Sequence, residues 1–374
     1  MNVESISKIT FGRIVVYSIF ISLFFLLPIQ AQYYFDSKTL SSDAYYYTGK
    51  KYGSEAMFNP INVILNNGYD IIQLGNKPRT IFDYPYEHAI KNVWKSVTHP
   101  KKTISEYGVK KFITTELFPL SIDINGVQWW PNYNVHFIGG GMTYRMLIDW
   151  FNYYNYPLPK ILSVATVGVF HYLNEVAENG PYEGYNGDAV ADLLFFDIAG
   201  VLLFSSDRVA KFFSEELHLS DWSLQPSFRF RDKSLQNNGQ YFTIKWQPKF
   251  SKKWQLFYNF GMDGLLGLSY KTDSEHTLSM GAGFIGRELI DIDEENNIKT
   301  VKLAWSTGIF YDKNNSLMAS LKISDHIDYQ AVINIYPGII KLGDFSPGLW
   351  TAIDKTGKYM IGVSTIWTPG FVIK

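Results

Sequence analysis

No cysteine occurs anywhere in the 374 residues. A disulfide framework and a thiolate metal site are therefore both excluded. Net charge is scarce too: 34 Lys and Arg stand against 35 Asp and Glu. A nucleic-acid partner would call for a basic excess gathered on one face, so none is expected. HExxH, GxSxG and the phosphate-binding P-loop are all missing, so no signature assigns a reaction class. The longest apolar run, Ile14 to Leu27, falls short of the ~20 residues that a spanning helix needs.

That run has a different use. Lys8 and Arg13 precede it, Pro28 breaks it, and Ile29-Gln30-Ala31 follows as a cleavage site ending in a small residue. Charge, apolar core and small residue in that order read as a secretory signal over residues 1–31. Its removal takes away one acid and two bases, leaving 34 acidic and 32 basic residues. Aromatic residues, by contrast, are abundant at 17%, with 26 Tyr. Amphipathic rings of this kind gather at membrane interfaces and in the girdles of membrane barrels.

From Trp222 onward the pattern has period two. Phe242, Ile244 and Trp246 alternate with Tyr241, Thr243 and Lys245, and Leu278, Met280, Ala282 and Phe284 oppose Thr277, Ser279, Gly281 and Gly283. Such alternation argues for strands with one apolar and one polar face. Turn residues separate the runs at Asn237-Asn238-Gly239, Asp263-Gly264, Asp312 to Asn315 and Asp354 to Gly357. The acidic stretch Asp291 to Asn297 reads as an exposed loop. Nine or ten strands are expected after residue 220. The polar set is small and lightly charged, which fits a barrel lumen better than the outside of a soluble sandwich. The expected fold is α+β: a mainly helical module over 32–219, then an antiparallel outer-membrane β-barrel of about 8–12 strands over 220–374.

The central region carries three helix candidates, at His136 to Tyr154, Pro159 to Asn179 and Asp188 to Phe213, the last broken near Ser205-Ser206-Asp207. The stretch Phe112 to Trp130 includes strand-like residues. Ala189 to Phe204 would suit a membrane but for Asp192 and Asp197, each costing roughly 2.5–3.5 kcal/mol at a helix centre. These helices are therefore expected to be buried in protein, beside or inside the barrel.

Their charged residues form one constellation. His171, Glu175 and Glu178 fall on one helical stripe, and Asp188 and Asp192 lie four apart on the next helix. The loop Asn179 to Gly187 lets the two helices fold back on each other, and His136 and Arg145 could approach the same place. Imidazole with carboxylates can bind a divalent cation, for which His171, Glu175, Asp188 and Asp192 are the metal candidates. His136, His171, Glu175 and Asp192 are the catalytic candidates, a histidine serving as general base with a carboxylate fixing its tautomer. The plainer alternative is a buried polar network of His136, Arg145, His171, Glu175, Glu178, Asp188 and Asp192, because unpaired buried charge is costly. Asp188 also suits a helix N-cap, and Gly139-Gly140-Gly141 suits close helix packing.

Residues Asn134 to Arg145, with His136, Gly139 and Tyr144, then Glu175, Asp188 to Leu193 and Gly200, resemble uncharacterised exported proteins of Bacteroidota-like bacteria. In those, a His…Glu…Asp helical module precedes a predicted barrel. The stretch is also similar to a family of small envelope lipoproteins with a His…Glu…Asp helical pattern, although Asn174 stands where that family has Lys. The resemblance covers about residues 130–205 and implies location and architecture, with no activity attached.

Together these readings favour a non-enzymatic outer-membrane protein, with outer-membrane lipid as partner and a structural role or the binding or passage of a small or lipidic ligand. No cofactor is called for beyond the divalent cation that the His and carboxylate set allows. The competing reading is an envelope enzyme acting on lipid or glycan through the His/Glu/Asp site.

Overall fold

The computed structural model describes residues 44–119, 130–293, 298–366 and 369–373. The signal segment 1–31, residues 120–129 of the strand expected before Trp130, and Trp367 lie outside the described residues.

Two short helices open the described chain, α1 (Gly53–Met57) and α2 (Pro60–Asn67). Asn59 caps α2: its Oδ1 accepts from the amides of Ile61 and Asn62, both at 3.0 Å, and Pro60 takes the first position, where no amide is needed. Next come α3 (Tyr86–Thr98) and α4 (Pro100–Tyr107). Ile113–Leu117 is a π-helical turn and not the strand expected there.

The central helices follow. A π-helical segment, Trp130–Gly140, runs into α5 (Gly141–Tyr153); then come α6 (Pro159–Asn179) and α7 (Gly187–Phe204). Pro159 starts α6 and Gly180, at φ 53°, ends it. Asn186 caps α7, its side chain accepting from the Ala189 amide, so the cap is two residues before the expected Asp188. Met146, Leu147, Phe170 and Phe204 knit α5, α6 and α7 into one core, which Phe242 and Phe260 join from the sheet.

Among the described residues, thirteen strands form the sheet. They are β1 (Ser220–Asp221), β2 (Ser227–Arg229), β3 (Ser234–Gln236), β4 (Tyr241–Trp246), β5 (Trp254–Gly261), β6 (Asp263–Lys271), β7 (His276–Asp293), β8 (Ile298–Lys313), β9 (Ser316–Ser324), β10 (Ala331–Ile335), β11 (Gly348–Ile353), β12 (Tyr359–Ser364) and β13 (Gly370–Ile373). From β4 to β13 they form an antiparallel meander, and β7 runs through to Asp293, into the stretch read as a loop. Asn314 and Asn315, at φ 48° and 64°, make the two-residue turn between β8 and β9.

The expected closed antiparallel barrel is corrected here. The sheet runs in the order β1, then β4 through β13, then β2 and β3, and its end strands β1 and β3 are not paired among the described residues. It is also mixed, because β2 pairs with β13 in parallel. The reason lies in the hydrogen bonds around the seam. The Leu235 amide of β3 donates to the Arg79 carbonyl, while the Gly239 and Gln240 amides donate to Asn66 and Asp70 side chains. Backbone groups of β3 and of the β3–β4 connection are thus bonded to the residues that precede the sheet.

Outer-membrane placement, a lipid partner and the barrel implied by the family resemblance all rested on closure, and the open sheet overturns them. Hydrocarbon satisfies no free strand edge. No single helix among the described residues is long and apolar enough to cross a membrane; only the bent pair Gly187–Phe204 and Asp207–Glu216 reaches that length and composition.

One face of the sheet is nonetheless apolar and largely exposed at Leu266, Leu268, Met280, Phe284 and Trp305. The opposite face is buried and polar. There Lys245 donates to both oxygens of Asp312 at 2.7 and 2.8 Å, and Lys322 lies 2.7 Å from Asp263.

Candidate metal centre

His136 lies on the π-helical segment before α5, with its ring buried between α6 and α7. Its Nδ1 is 3.1 Å from Asp197 Oδ1 and its Nε2 is 3.5 Å from Asp192 Oδ2. His171, on α6, brings Nε2 to 3.2 Å from the same Asp197 oxygen, and the two imidazole centroids are 4.8 Å apart. Glu175 follows one helical turn after His171. The ligand atoms of His136, Glu175 and Asp192 all lie within 4.8 Å of one another, as do those of His136, His171 and Asp197. All five side chains are buried. This cluster can chelate a divalent cation.

Local backbone geometry builds the cluster. In a regular α-helix, residues five apart point about 140° from each other, so Asp192 and Asp197 would not share a stripe. A π-helical turn over Asp192–Phe196 widens the helix there and lets both carboxylates meet His136. The three glycines before α5 bring the elements close. A Cβ on Gly139 would strike the Phe242 ring at 2.3 Å, and one on Gly140 would lie 2.8 Å from His171 Nε2. A Cβ on Gly141 would lie 2.7 Å from the Gly200 carbonyl oxygen.

Charge within the cluster is uneven. Burial works against the His136 cation, but Asp192 and Asp197 outweigh it and raise the imidazole to about 10. Burial, and then the neighbouring His136 charge, hold His171 well below the usual histidine range. Burial pushes Glu175 well up, with Asp192 and Glu178 adding to the effect. Burial also raises Asp192 to about 7, against the pull of His136. Without a cation, the centre therefore favours a protonated His136 and a neutral Glu175.

The donor set favours one position for a cation. When Nδ1–H of His136 donates to Asp197, Nε2 is left as a lone pair facing Asp192 and Glu175. Glu175 Oε2 and Asp192 Oδ1 are buried and receive no hydrogen bond. Desolvated oxygens in that state are costly, and a cation satisfies them. Asp197 then orients His136, and neutral His171 packs behind it. Nitrogen and carboxylate ligands of this kind suit zinc, manganese or iron.

The other residues marked in the sequence fall at different distances from this point. Asp188 and Glu178 are half-buried beside it, and both act electrostatically on Glu175 or Asp192. Arg145 turns away: its Nη2 pairs with Asp207 at 2.7 Å, and its guanidinium lies over the Tyr45 ring. Sequence reasoning missed two acids. Asp197 was visible only as an acid in an apolar run, off the α-helical stripe. Glu116 had no signal at all, yet it is 1% exposed and its charge acts on Asp188 and Asp192.

Glu178 also lines a cleft of about 510 Å³ with Lys77, Asp83, Tyr84 and Tyr182. No family model, curated protein or solved structure matches the chain. The non-enzymatic reading favoured by the sequence, a structural role or the binding or passage of a small or lipidic ligand, is corrected by this buried cluster, which has the composition of a catalytic or metal site.

Proposed function

We propose that the chain is a metal-dependent hydrolase, with one divalent cation held by His136 Nε2, Glu175 and Asp192, and that its substrate is a glycan. The observation that carries this reading is that Glu175 and Asp192, each with a buried oxygen free of hydrogen bonds (Oε2 and Oδ1), bring ligand atoms within 4.8 Å of a His136 nitrogen. Held by His136, Glu175 and Asp192, a cation would supply polarisation of water and of the substrate oxygen. The protein's own residues do the rest. Asp197 fixes the His136 tautomer. Glu178, at the wall of the cleft, accepts the proton of water as its oxygen bonds to the electrophilic atom, and returns it to the leaving oxygen as the old bond breaks.

The cleft supports a glycan over a lipid. Tyr84 and Tyr182 line it together with the polar residues Asn76, Asp83 and Lys77, a mix suited to a hydroxylated ring. The test is metal analysis of the purified chain, followed by a hydrolysis screen over glycan and lipid esters. Bound divalent metal, lost in Glu175→Gln and Asp192→Asn variants that remain folded, supports the site. Cleavage of lipid esters alone overturns the substrate. A folded chain that binds no zinc, manganese or iron overturns the reading.

A further inference from the structure

We infer that the polar face of the sheet carries a binding site for a small hydroxylated carboxylate, in the cavity lined by Ser306, Lys322, Asn238 and Arg79. The site is separate from the cation centre and does not rest on it.

Strand register builds its floor. Ser306 and Gly308 share one face of β8. Lys322 of β9 stands opposite Gly308, Val332 of β10 opposite Lys322, and Ala352 of β11 opposite Val332. Directly opposed residues of antiparallel strands lie on the same side of the sheet, so Ser306, Lys322, Val332 and Ala352 meet the cavity together. Arg79, from the segment between α2 and α3, and Asn238, from the turn before β4, line it from above. Its volume is about 70 Å³. One water needs roughly 10–15 Å³, so there is room for about five atoms of that size.

The aromatic groups of the wall are already satisfied. The Tyr241 hydroxyl donates to Gln73 at 2.8 Å, the Tyr329 hydroxyl to Gln236 at 2.6 Å, and the Trp350 indole to Ser227 at 2.8 Å. Three other lining groups are not. Ser306 Oγ is buried with no hydrogen-bond partner among the described residues. Asn238 donates its Nδ2 to the Tyr69 carbonyl at 2.7 Å, which fixes the orientation of the amide, and its Oδ1 is buried without a donor. Lys322 Nζ is buried and 2.7 Å from Asp263, and its three N–H groups hydrogen-bond to no other residue. Folded proteins leave few buried polar groups unmet, so three around one cavity mark the place of an occupant.

Charge gives the occupant its sign. Among the described residues, Arg79 and Lys322 line the cavity and no carboxylate does; their partners, Asp328 and Asp263, stand outside the lining. Burial draws the Lys322 ammonium below its usual range against the pull of Asp263, and an anion beside it would hold the charge. A carboxylate there accepts from Lys322 and Ser306, and an adjoining hydroxyl donates to Asn238 Oδ1. Glycolate has that chemistry and that size. Water alone would satisfy the serine and the amide oxygen and leave the charge asymmetry standing.

The experiment is titration calorimetry of the full chain with glycolate, with acetate and ethylene glycol for comparison. Glycolate is expected to bind more tightly than about 1 mM. Acetate, which lacks the hydroxyl, and ethylene glycol, which lacks the carboxylate, should each bind roughly tenfold more weakly or worse. Ser306→Ala should weaken glycolate by roughly tenfold with no change in melting temperature, because Oγ bonds to nothing in the fold. Dialysis against EDTA should leave the affinity unchanged. No glycolate binding would mean a cavity filled by water and would overturn the inference. So would equal affinity for either comparison compound, unaltered binding in Ser306→Ala, a Ser306→Ala chain that melts lower, or affinity lost with EDTA, which would place glycolate on a metal ion.

Discussion

Gly141 and Gly200 meet backbone to backbone: a Cβ on Gly200 would stand 2.5 Å from the Phe137 carbonyl oxygen and 3.2 Å from the Gly141 amide nitrogen. That contact sets how near α7 comes to the segment carrying His136, and so sets the 3.1 Å separation of His136 from Asp197. Gly200→Ala forces the two backbones apart, an overpacking that costs about 1–3 kcal/mol. The expected outcome is a lower melting temperature together with at least a tenfold loss of cation affinity, read by titration calorimetry. Unchanged affinity would show that helix approach does not position the centre.

Lys245 and Asp312 form an ion pair with both side chains 1% exposed, beneath the Trp222 ring. Lys245→Met leaves the Asp312 carboxylate buried and unpaired, and should cost about 3–5 kcal/mol of stability. The double variant Lys245→Met/Asp312→Leu should recover most of that loss, because an apolar pair replaces a desolvated one. Denaturant melts of the four proteins in the cycle measure it. Equal losses in the single and double variants would contradict the buried pairing.

Burial raises Asp221 to about 6 against its hydrogen bonds from Ser223, and raises Asp149 to about 6 against the amides of Tyr46 and Tyr45. A carboxyl with a raised folded pKa holds its proton where the unfolded chain has lost it. Each group therefore favours folding at the acid end, and the advantage fades as pH rises from about 4 to about 6. The span for each is on the order of 2–3 kcal/mol. Asp221→Asn should flatten this fall by roughly one such contribution. The check is the difference in unfolding free energy between parent and variant at pH 4 and pH 7. A difference independent of pH would refute the assignment.

Helix α6 was legible in the sequence because its signals are local: a proline at its start, a glycine past its end and an apolar stripe between. The strand alternation was legible for the same reason, and the two acids Glu175 and Asp192 stood out by their i, i+4 partners His171 and Asp188, although the group that forms joins Glu175 and Asp192 to His136. Sheet closure was not. It depends on long-range pairing, as the bonds from the Leu235, Gly239 and Gln240 amides show: their acceptors, Arg79, Asn66 and Asp70, are more than 150 residues away. Asp197 was hidden because a π-helical turn breaks the period on which the stripe argument relies. Glu116 was hidden because only tertiary packing brings its turn to α7.

The most direct measurement is an anomalous diffraction map from crystals of the chain grown with Zn²⁺ or Mn²⁺. A peak about 2.0–2.2 Å from His136 Nε2 and from carboxylate oxygens of Glu175 and Asp192 is the predicted result. Crystals in which these side chains touch only one another, with the metal elsewhere or absent, would contradict the account.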